Sequence, residues 1–168
     1  MIPKSISAWR IVKQKLAKSA FTGEGARLYG GRWNTPGRPL IYTAESRALA
    51  LAEILVHLES QALLSRYVVF EVEIDESTIT RLDPGELPKN WRAEPAPRRL
   101  QVIGDAWIAS AKSAVLRVPS AVVVGEFNYL LNPLHPDFSK LAIHGPERFS
   151  IDRRLRLVRP QSGDRGRS

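Results

Sequence analysis

Apolar and polar residues alternate along two stretches of the chain with a period of two, which places successive side chains on opposite faces of a β-strand. In residues 7–12, Trp9 and Ile11 share one face. Residues 66–75 give the clearest pattern, with four apolar side chains on one face: Val68, Phe70, Val72 and Ile74. Short apolar runs predict further strands over 40–43, 115–118, 121–124, 127–131 and 148–151.

The most regular helical pattern covers residues 46–60, which are rich in the strong helix formers Ala, Leu and Glu. At about 100° per residue, Leu51, Leu55 and Leu58 share one face, and the opposite face carries Glu53 and His57 one turn apart. A second helix is predicted over 105–113, and loops are predicted over 20–39 and 83–104. Because many strands and few helices follow one another without alternation, the pattern predicts an α+β fold.

The length of 168 residues favours a single domain. The chain contains no cysteine, which excludes a disulfide framework, a thiolate zinc site and a cysteine nucleophile. The three histidines show no metal-ligand spacing, so we expect no metal site. The sequence shows neither a secretory leader nor an apolar run of about 20 residues, and we therefore expect a cytoplasmic protein without a membrane segment.

Positive charge is concentrated at the C-terminal end. Residues 153–168 contain six arginines and one aspartate and so carry +5 of the net charge of +8. The Gly, Ser, Pro and Arg content predicts a domain over residues 1–155 and a basic, flexible tail over 156–168. We interpret the tail as solvated, and contact with RNA, DNA or an acidic partner stays open. A second basic cluster adds a mildly positive face: Lys4, Arg10, Lys13, Lys15 and Lys18.

Three features have both a structural and a chemical interpretation. The segment from Gly23 to Asn34 contains paired glycines beside Arg32, which suits either a structured turn or the binding of a phosphate or carboxylate. Glu53, with His57 one turn later, is either part of a solvated helix face or a carboxylate presented to a cleft. Ser120 follows a proline between apolar runs and is more typical of a strand-edge hydroxyl than of a nucleophile, because no Gly-x-Ser-x-Gly motif surrounds it.

Several sequence blocks, taken in order, resemble the RES domain, the toxin half of RES–Xre toxin–antitoxin pairs. The blocks are Gly-Glu-Gly-Ala-Arg-Leu-Tyr-Gly-Gly-Arg-Trp-Asn (23–34), Leu-Ile-Tyr-Thr (40–43), Leu-Ala-Leu-Ala-Glu-Ile-Leu-Val-His (49–57), Val-Pro-Ser-Ala (118–121), Asn128 and Asn-Pro (132–133). The resemblance runs from about residue 9 to residue 155. Its most specific part is Gly-Gly-Arg-Trp-Asn followed by Leu-Ala-x-x-Glu.

The resemblance implies a fold similar to that of ADP-ribosyltransferases, with a small split β-core and a few flanking helices that clamp NAD. It further implies a toxin that cleaves the nicotinamide–ribose bond of NAD as its substrate, without a metal. Such an enzyme is an NAD glycohydrolase or phosphorylase, or an ADP-ribosyltransferase, depending on whether water, phosphate or a protein is the acceptor. The implied partner is an Xre-type helix-turn-helix antitoxin that covers the active site and provides the only contact with DNA.

The Arg, Glu and Ser that give the family its name correspond to Arg32, Glu53 and Ser120. Glu53 is then the catalytic carboxylate that stabilises the ribosyl cation. Arg32, together with Arg10 on the first strand, would hold the pyrophosphate of NAD. Ser120 would contact the nicotinamide ribose or orient Glu53.

Three further residues take supporting roles in this hypothesis. Tyr42 would stack on the nicotinamide ring or its ribose, and His57 and Asn128 would support the residues that contact NAD. Two other hypotheses stay open: a basic RNA- or DNA-binding module or RNA-targeting toxin, motivated by the tail, and a RES-like protein that binds a partner without catalysis. The sequence leaves the acceptor and the oligomeric state undetermined.

Overall fold

The computed structural model of the protein describes residues 4–57 and 66–155, and in this part seven strands form one mixed sheet. The strands are β1 (Ser5–Lys13), β2 (Ile41–Ala44), β3 (Tyr67–Asp75), β4 (Ile79–Arg81), β5 (Val115–Pro119), β6 (Phe127–Leu131) and β7 (Ala142–Phe149). Their order across the sheet is β4-β5-β6-β2-β1-β3-β7. The β4–β5 pair is parallel and the other pairs are antiparallel.

Three α-helices accompany the sheet in the described residues: α1 (Glu24–Tyr29), α2 (Arg47–Leu55) and α3 (Arg98–Ser110). Short 3₁₀ turns cover Gln14–Ser19, Glu76–Thr78, Pro84–Glu86, Pro136–Lys140 and Arg153–Leu155. Helix α2 begins after Ser46, whose side chain accepts a hydrogen bond from the Leu49 amide and so caps the helix. The α+β fold expected from the sequence is confirmed.

The sheet is split between β1 and β2. These strands pair only at Trp9 and Ala44, whereas β1 pairs with β3 along its whole length from Ser5 to Lys13. The two strands therefore diverge beyond Trp9, and the sheet consists of one half formed by β4, β5, β6 and β2 and another formed by β1, β3 and β7. This split core is the architecture that the resemblance to the RES domain implies.

Each half-sheet packs against its own helix. Helix α3 buries Leu100, Ile103 and Trp107 against Leu116 and Leu130 of the first half. In the second half, α2 buries a separate set of apolar side chains, with Leu49 and Ala50 packed among Ile11, Tyr67 and Val69. A third apolar cluster joins the two halves, because buried side chains of β1 and β3 pack with those of β2, β5 and β6. The cleft opens only where β1 and β2 diverge.

The strand predicted over 121–124 is wrong. These residues form a tight bend between β5 and β6, because the Ser120 hydroxyl accepts hydrogen bonds of 3.1 Å from the amides of both Val122 and Val123. Amides bound in this way cannot join a strand ladder. Gly125 completes the turn with φ +88°, a conformation that favours glycine.

Helix α3 starts at Arg98, seven residues before the predicted start at position 105, and ends at Ser110 rather than 113. The loop predicted over 83–104 is therefore wrong in its last part. The signal that reveals the helix is an apolar stripe on one face, since Leu100, Ile103, Gly104 and Trp107 are all buried. In the predicted 20–39 loop, the structure adds the short helix α1, which buries no side chain completely.

The strand predicted over 148–151 is displaced, because β7 runs from Ala142 to Phe149. This edge strand is almost entirely exposed and so lacks an apolar pattern that sequence analysis could detect. The short strand β4 was not predicted. The helix predicted over 46–60 ends at Leu55, and its last three positions, 58–60, lie outside the described residues, as does the predicted tail over 156–168.

Candidate active site

A cleft of about 1050 Å³ lies where β1 and β2 diverge. Residues 9–13 of β1 line one side and residues 42–44 of β2 line the other. The face of α2 that carries Ala50, Glu53 and Ile54 borders the cleft, as do segments 30–33 and 94–96. The split in the sheet therefore brings together residues that are far apart in the sequence.

Arg10 occupies the gap that opens beside the last β1–β2 pair. Its Nε donates to the Ala20 carbonyl at 2.7 Å and its Nη1 to the Tyr42 carbonyl at 2.9 Å. Arg10 forms no ion pair within residues 4–57 and 66–155, and burial lowers the pKa of its guanidinium to about 10. A cation held by neutral carbonyls beside a cleft retains its positive charge for an incoming anion.

Arg32 lies at the wall formed by the glycine-rich segment. Its Nη1 donates to the carbonyls of Trp91 and Ala93 at 3.0 and 3.3 Å, and its Nη2 contacts the Glu94 carboxylate at 3.1 Å. The Arg32 side chain is 21% exposed and that of Glu94 is 79% exposed. Because such an exposed ion pair contributes only about 0–1 kcal/mol, an anionic ligand can compete with Glu94 for Arg32.

Tyr42 fixes the segment that carries Arg32. Its hydroxyl donates to Oδ1 of Asn34 at 2.7 Å and accepts from the Trp33 amide at 3.0 Å. Burial raises the pKa of the Tyr42 hydroxyl well above its usual range, so the group stays protonated and keeps donating to Asn34. Tyr42 also lines the cleft.

Glu53 presents its carboxylate from α2. Its Oε1 accepts a hydrogen bond of 3.1 Å from the Ser120 hydroxyl, which fixes the orientation of the carboxylate. In the described part of the chain Glu53 forms no other hydrogen bond, and no buried side-chain polar atom lacks a partner. The second carboxylate oxygen is therefore open to the cleft that Glu53 lines.

Ser120 lies behind Glu53 and does not line the cleft. The residue is 1% exposed, and its hydroxyl donates to Glu53 while accepting from two backbone amides. The hydroxyl is thus fully engaged and suits the orienting role rather than that of a nucleophile.

His57 and Asn128 both line the cleft, but only Asn128 forms a side-chain hydrogen bond among the described residues. Asn128 donates from Nδ2 to the Thr43 carbonyl at 3.2 Å and so connects β6 to the β2 edge of the cleft. His57 is exposed at the end of α2, and within the described residues it forms no hydrogen bond with Glu53. The structure therefore brings six of the seven predicted site residues to the cleft surface: Arg10, Arg32, Tyr42, Glu53, His57 and Asn128.

Gln101 is the polar lining residue on a helix that sequence analysis did not name. Gln101 lies in the segment predicted as a loop, but it belongs to α3 and reaches the cleft beside the glycine-rich segment. The stripe of buried residues on α3 would have revealed the helix. The proximity of Gln101 to Gly31, 70 positions away, has no signal in the sequence.

The cleft combines a positively charged wall with one oriented carboxylate. Arg10 and Arg32 suit an anionic group, while Glu53 suits a centre at which positive charge develops. No group of three or more His, Cys, Asp or Glu side chains that could hold a metal ion occurs among the described residues. The described helices also include none that is long and apolar enough to cross a membrane.

Comparison with known proteins identifies close relatives over nearly the whole chain. The RES domain family model matches residues 7–156. "Toxin Res" of Yersinia enterocolitica serotype O:8 / biotype 1B (strain NCTC 13174 / 8081) is 44% identical over 149 residues, covering 88% of this chain and 98% of that protein. "Prs ADP-ribosylating toxin" of Sphingobium sp. (strain YBL2) is 40% identical over 155 residues, covering 89% and 96% of the two chains.

A solved structure shares the fold. A chain of the crystal structure of the M. tuberculosis MbcT-MbcA toxin-antitoxin complex superposes with a TM-score of 0.73 and 20% sequence identity, covering 89% of this chain and 86% of that chain. The match to the family model and the identity to its members settle the family. The chain belongs to the RES domain family.

Proposed function

We propose that this protein is the toxin of a toxin–antitoxin pair, and that it binds NAD in the cleft and cleaves the nicotinamide–ribose bond. The observation that carries the proposal is the placement of Arg10 and Arg32 at the same cleft as the Ser120-oriented carboxylate of Glu53. The relative named as a Prs ADP-ribosylating toxin supports NAD as the substrate.

The two arginines bind the pyrophosphate. Arg10 has no carboxylate partner in the described residues, so a phosphate compensates its charge directly. Arg32 is already oriented by the carbonyls of Trp91 and Ala93, and a phosphate replaces the exposed carboxylate of Glu94 at its outer nitrogen. Two cations held in place before the ligand arrives lower the entropic cost of binding.

Glu53 acts on the bond that breaks. The C–N bond between the ribose and nicotinamide ionises, its electron pair leaves with neutral nicotinamide, and positive charge develops on the ribose. The open oxygen of Glu53 stabilises that charge, which exists only in the transition state and therefore accelerates the chemical step. Ser120 keeps the carboxylate in this orientation.

The acceptor completes the reaction. An oxygen atom of water or phosphate, or a nucleophilic atom of a target protein, forms the new bond to the ribose carbon and releases its proton. The three reactions share the same bound NAD and the same bond cleavage. Analysis of the ADP-ribosyl product distinguishes glycohydrolase, phosphorylase and transferase activity.

The antitoxin is the partner that this function requires. We propose an Xre-type helix-turn-helix protein that covers the cleft, so that DNA contact occurs only through the antitoxin. Support comes from the structural neighbour, which is described as a toxin-antitoxin complex. The alternative of an RNA- or DNA-binding module depends on the tail over 156–168, outside the described residues, and stays a prediction together with the cytoplasmic location.

The decisive experiment measures nicotinamide release from NAD by the purified full-length protein, in buffer alone, with phosphate and with cell lysate. We expect release in at least one condition and a loss of at least about 100-fold in kcat for Glu53→Gln, with NAD binding retained. Glu86→Gln, which changes an exposed carboxylate that does not line the cleft, serves as the matched control, and we expect it to keep full activity. Full activity of Glu53→Gln would remove Glu53 from the mechanism.

A further inference from the structure

Gln101 connects α3 to the glycine-rich segment that carries Arg32. Its Nε2 donates to the Gly31 carbonyl at 3.1 Å and to the Asn34 carbonyl at 3.2 Å. The residue is half-buried and lines the cleft. Gln101 thus holds the segment that carries Arg32 and also borders the cleft.

The two carbonyls determine which way the Gln101 amide points. A carbonyl oxygen only accepts hydrogen bonds, so the atom facing Gly31 and Asn34 must be the amide nitrogen. Both N–H groups of that nitrogen are used in these two bonds. The amide oxygen, Oε1, therefore points away from the segment, and Gln101 has no donor left for a ligand.

The Oε1 atom has no hydrogen-bond partner among residues 4–57 and 66–155. In this part of the chain, every side-chain nitrogen or oxygen that is shielded from solvent does have a partner. Oε1 is consequently accessible, and the cleft is the space that Gln101 borders. We propose that Oε1 of Gln101 accepts a hydrogen bond from an N–H group of the bound dinucleotide and so selects ligands that carry an amine or amide at that position.

This inference rests on the proposed function, because it requires NAD in the cleft. NAD carries two groups of the required chemistry: the exocyclic amine of adenine and the carboxamide of nicotinamide. The shared property is an N–H donor on a planar ring. A dinucleotide that carries a carbonyl or methyl group in place of this donor leaves Oε1 without a hydrogen bond. Such a ligand binds more weakly, because an acceptor that loses its water without gaining a donor raises the free energy of the complex.

The test uses the full-length Glu53→Gln protein, which we expect to bind dinucleotides and to turn them over too slowly to affect the measurement. Calorimetry gives the dissociation constants of NAD, of nicotinamide hypoxanthine dinucleotide and of 3-acetylpyridine adenine dinucleotide. The first analogue replaces the adenine amine by a carbonyl, and the second replaces the carboxamide nitrogen by a methyl group. The measurements are repeated with Gln101→Met added, since methionine has a similar length and no amide.

We expect one analogue to bind about five- to tenfold more weakly than NAD when Gln101 is present. In the Gln101→Met protein, the ratio of that analogue's dissociation constant to that of NAD falls to about one. The same ratio for the other analogue does not change. The analogue that loses its penalty identifies the end of NAD that Gln101 contacts. Ratios that are identical with and without Gln101 for both analogues overturn the proposal.

A matched control separates the recognition of the ligand by Gln101 from the hydrogen bonds that hold the glycine-rich segment in place. Asp105, one turn further along α3, accepts hydrogen bonds from the amide and hydroxyl of Thr35 and holds the same segment without lining the cleft. We expect Asp105→Asn to weaken all three dinucleotides by a common factor and to leave their ratios unchanged. If NAD does not bind any of these proteins, the proposed function itself fails, whereas NAD binding with unchanged ratios contradicts only the role of Gln101.

Discussion

Ser120 donates a hydrogen bond of 3.1 Å to Oε1 of Glu53, although the two residues are 67 positions apart. Ser120 follows β5 in one half of the split sheet, and Glu53 belongs to the helix that packs on the other half. The bond therefore crosses the split and fixes the carboxylate relative to both walls of the cleft.

Replacing Ser120 by alanine separates orientation from binding. Ser120→Ala removes the bond to Glu53 but leaves Arg10 and Arg32 in place, so we expect kcat to fall about tenfold with little change in KM. The loss of the acceptor for the Val122 and Val123 amides also lowers the free energy of unfolding by about 1–2 kcal/mol. Steady-state kinetics and urea denaturation measure the two effects.

Ser113→Ala is a suitable control, since this buried serine also bonds a side chain and a carbonyl but does not line the cleft. We expect a similar loss of stability with kcat unchanged. A rise in KM without a fall in kcat for Ser120→Ala would contradict the orienting role.

Arg10 should give ligand binding a pH dependence at high pH. Burial lowers its folded-state pKa from 12.5 to about 10, so the folded protein loses this proton earlier than the unfolded chain does. Phosphate binding needs the protonated guanidinium, and the affinity for ADP-ribose should stay constant through neutral pH and fall as the pH approaches about 10. Calorimetry over this range measures the midpoint.

The variant Arg10→Lys sharpens this test. Lysine has a lower intrinsic pKa than arginine, and burial lowers the pKa of an ammonium group further. We expect the affinity to begin its fall at a lower pH in Arg10→Lys. An identical pH profile in the two proteins would mean that another group titrates.

Tyr42 and Gly31 should show coupled effects on stability. Tyr42→Phe leaves the Trp33 amide and the Asn34 amide oxygen without this partner, which costs about 1–3 kcal/mol. A Cβ at Gly31 would collide with the Tyr42 hydroxyl, so Gly31→Ala destabilises the protein as well. Removal of the hydroxyl relieves the shortest of these contacts and leaves that with the ring carbon Cζ at 2.9 Å. We therefore expect the double variant to lose less than the two single losses together.

Denaturant unfolding of the four proteins completes this double-mutant cycle. Gly37→Ala provides a comparison, because its added Cβ meets nothing within 4 Å, although its φ of +98° is unfavourable for alanine. Strict additivity of Gly31→Ala and Tyr42→Phe would contradict the close contact between these residues.

Gly104 is expected to resist a substitution that usually stabilises a helix. Alanine exceeds glycine in helix propensity by about 1 kcal/mol. At Gly104, however, an added Cβ would collide with the Trp33 carbonyl oxygen, a backbone atom that cannot rotate away. We expect Gly104→Ala to lower the free energy of unfolding by about 1–3 kcal/mol and to reduce activity, because the Trp33 segment also carries Arg32.

Ala106, an exposed residue inside the same helix, is the control for helix propensity. Ala106→Gly should lower the free energy of unfolding by about 1 kcal/mol through propensity alone and leave activity unchanged. Greater stability of the Gly104→Ala protein would show that α3 and the Trp33 segment are not in close contact.

The sequence by itself determined the elements whose faces differ in polarity. Strands β1 and β3 follow from the alternation of apolar and polar residues, β2, β5 and β6 from short apolar runs, and α2 from its strong helix formers. Strand β7 escaped detection, since an exposed edge strand has no such contrast. The order of the motif residues also indicates the family and, through it, Arg32, Glu53 and Ser120.

Only the tertiary structure decided how these residues work together. Periodicity describes neighbours along the chain, whereas the contacts of Ser120 with Glu53 and of Gln101 with Gly31 span 67 and 70 positions. β1 and β2 share a single residue pair and then diverge, which opens the cleft beside which these contacts lie. That divergence depends on the packing of the whole sheet, and no local pattern of residues encodes it.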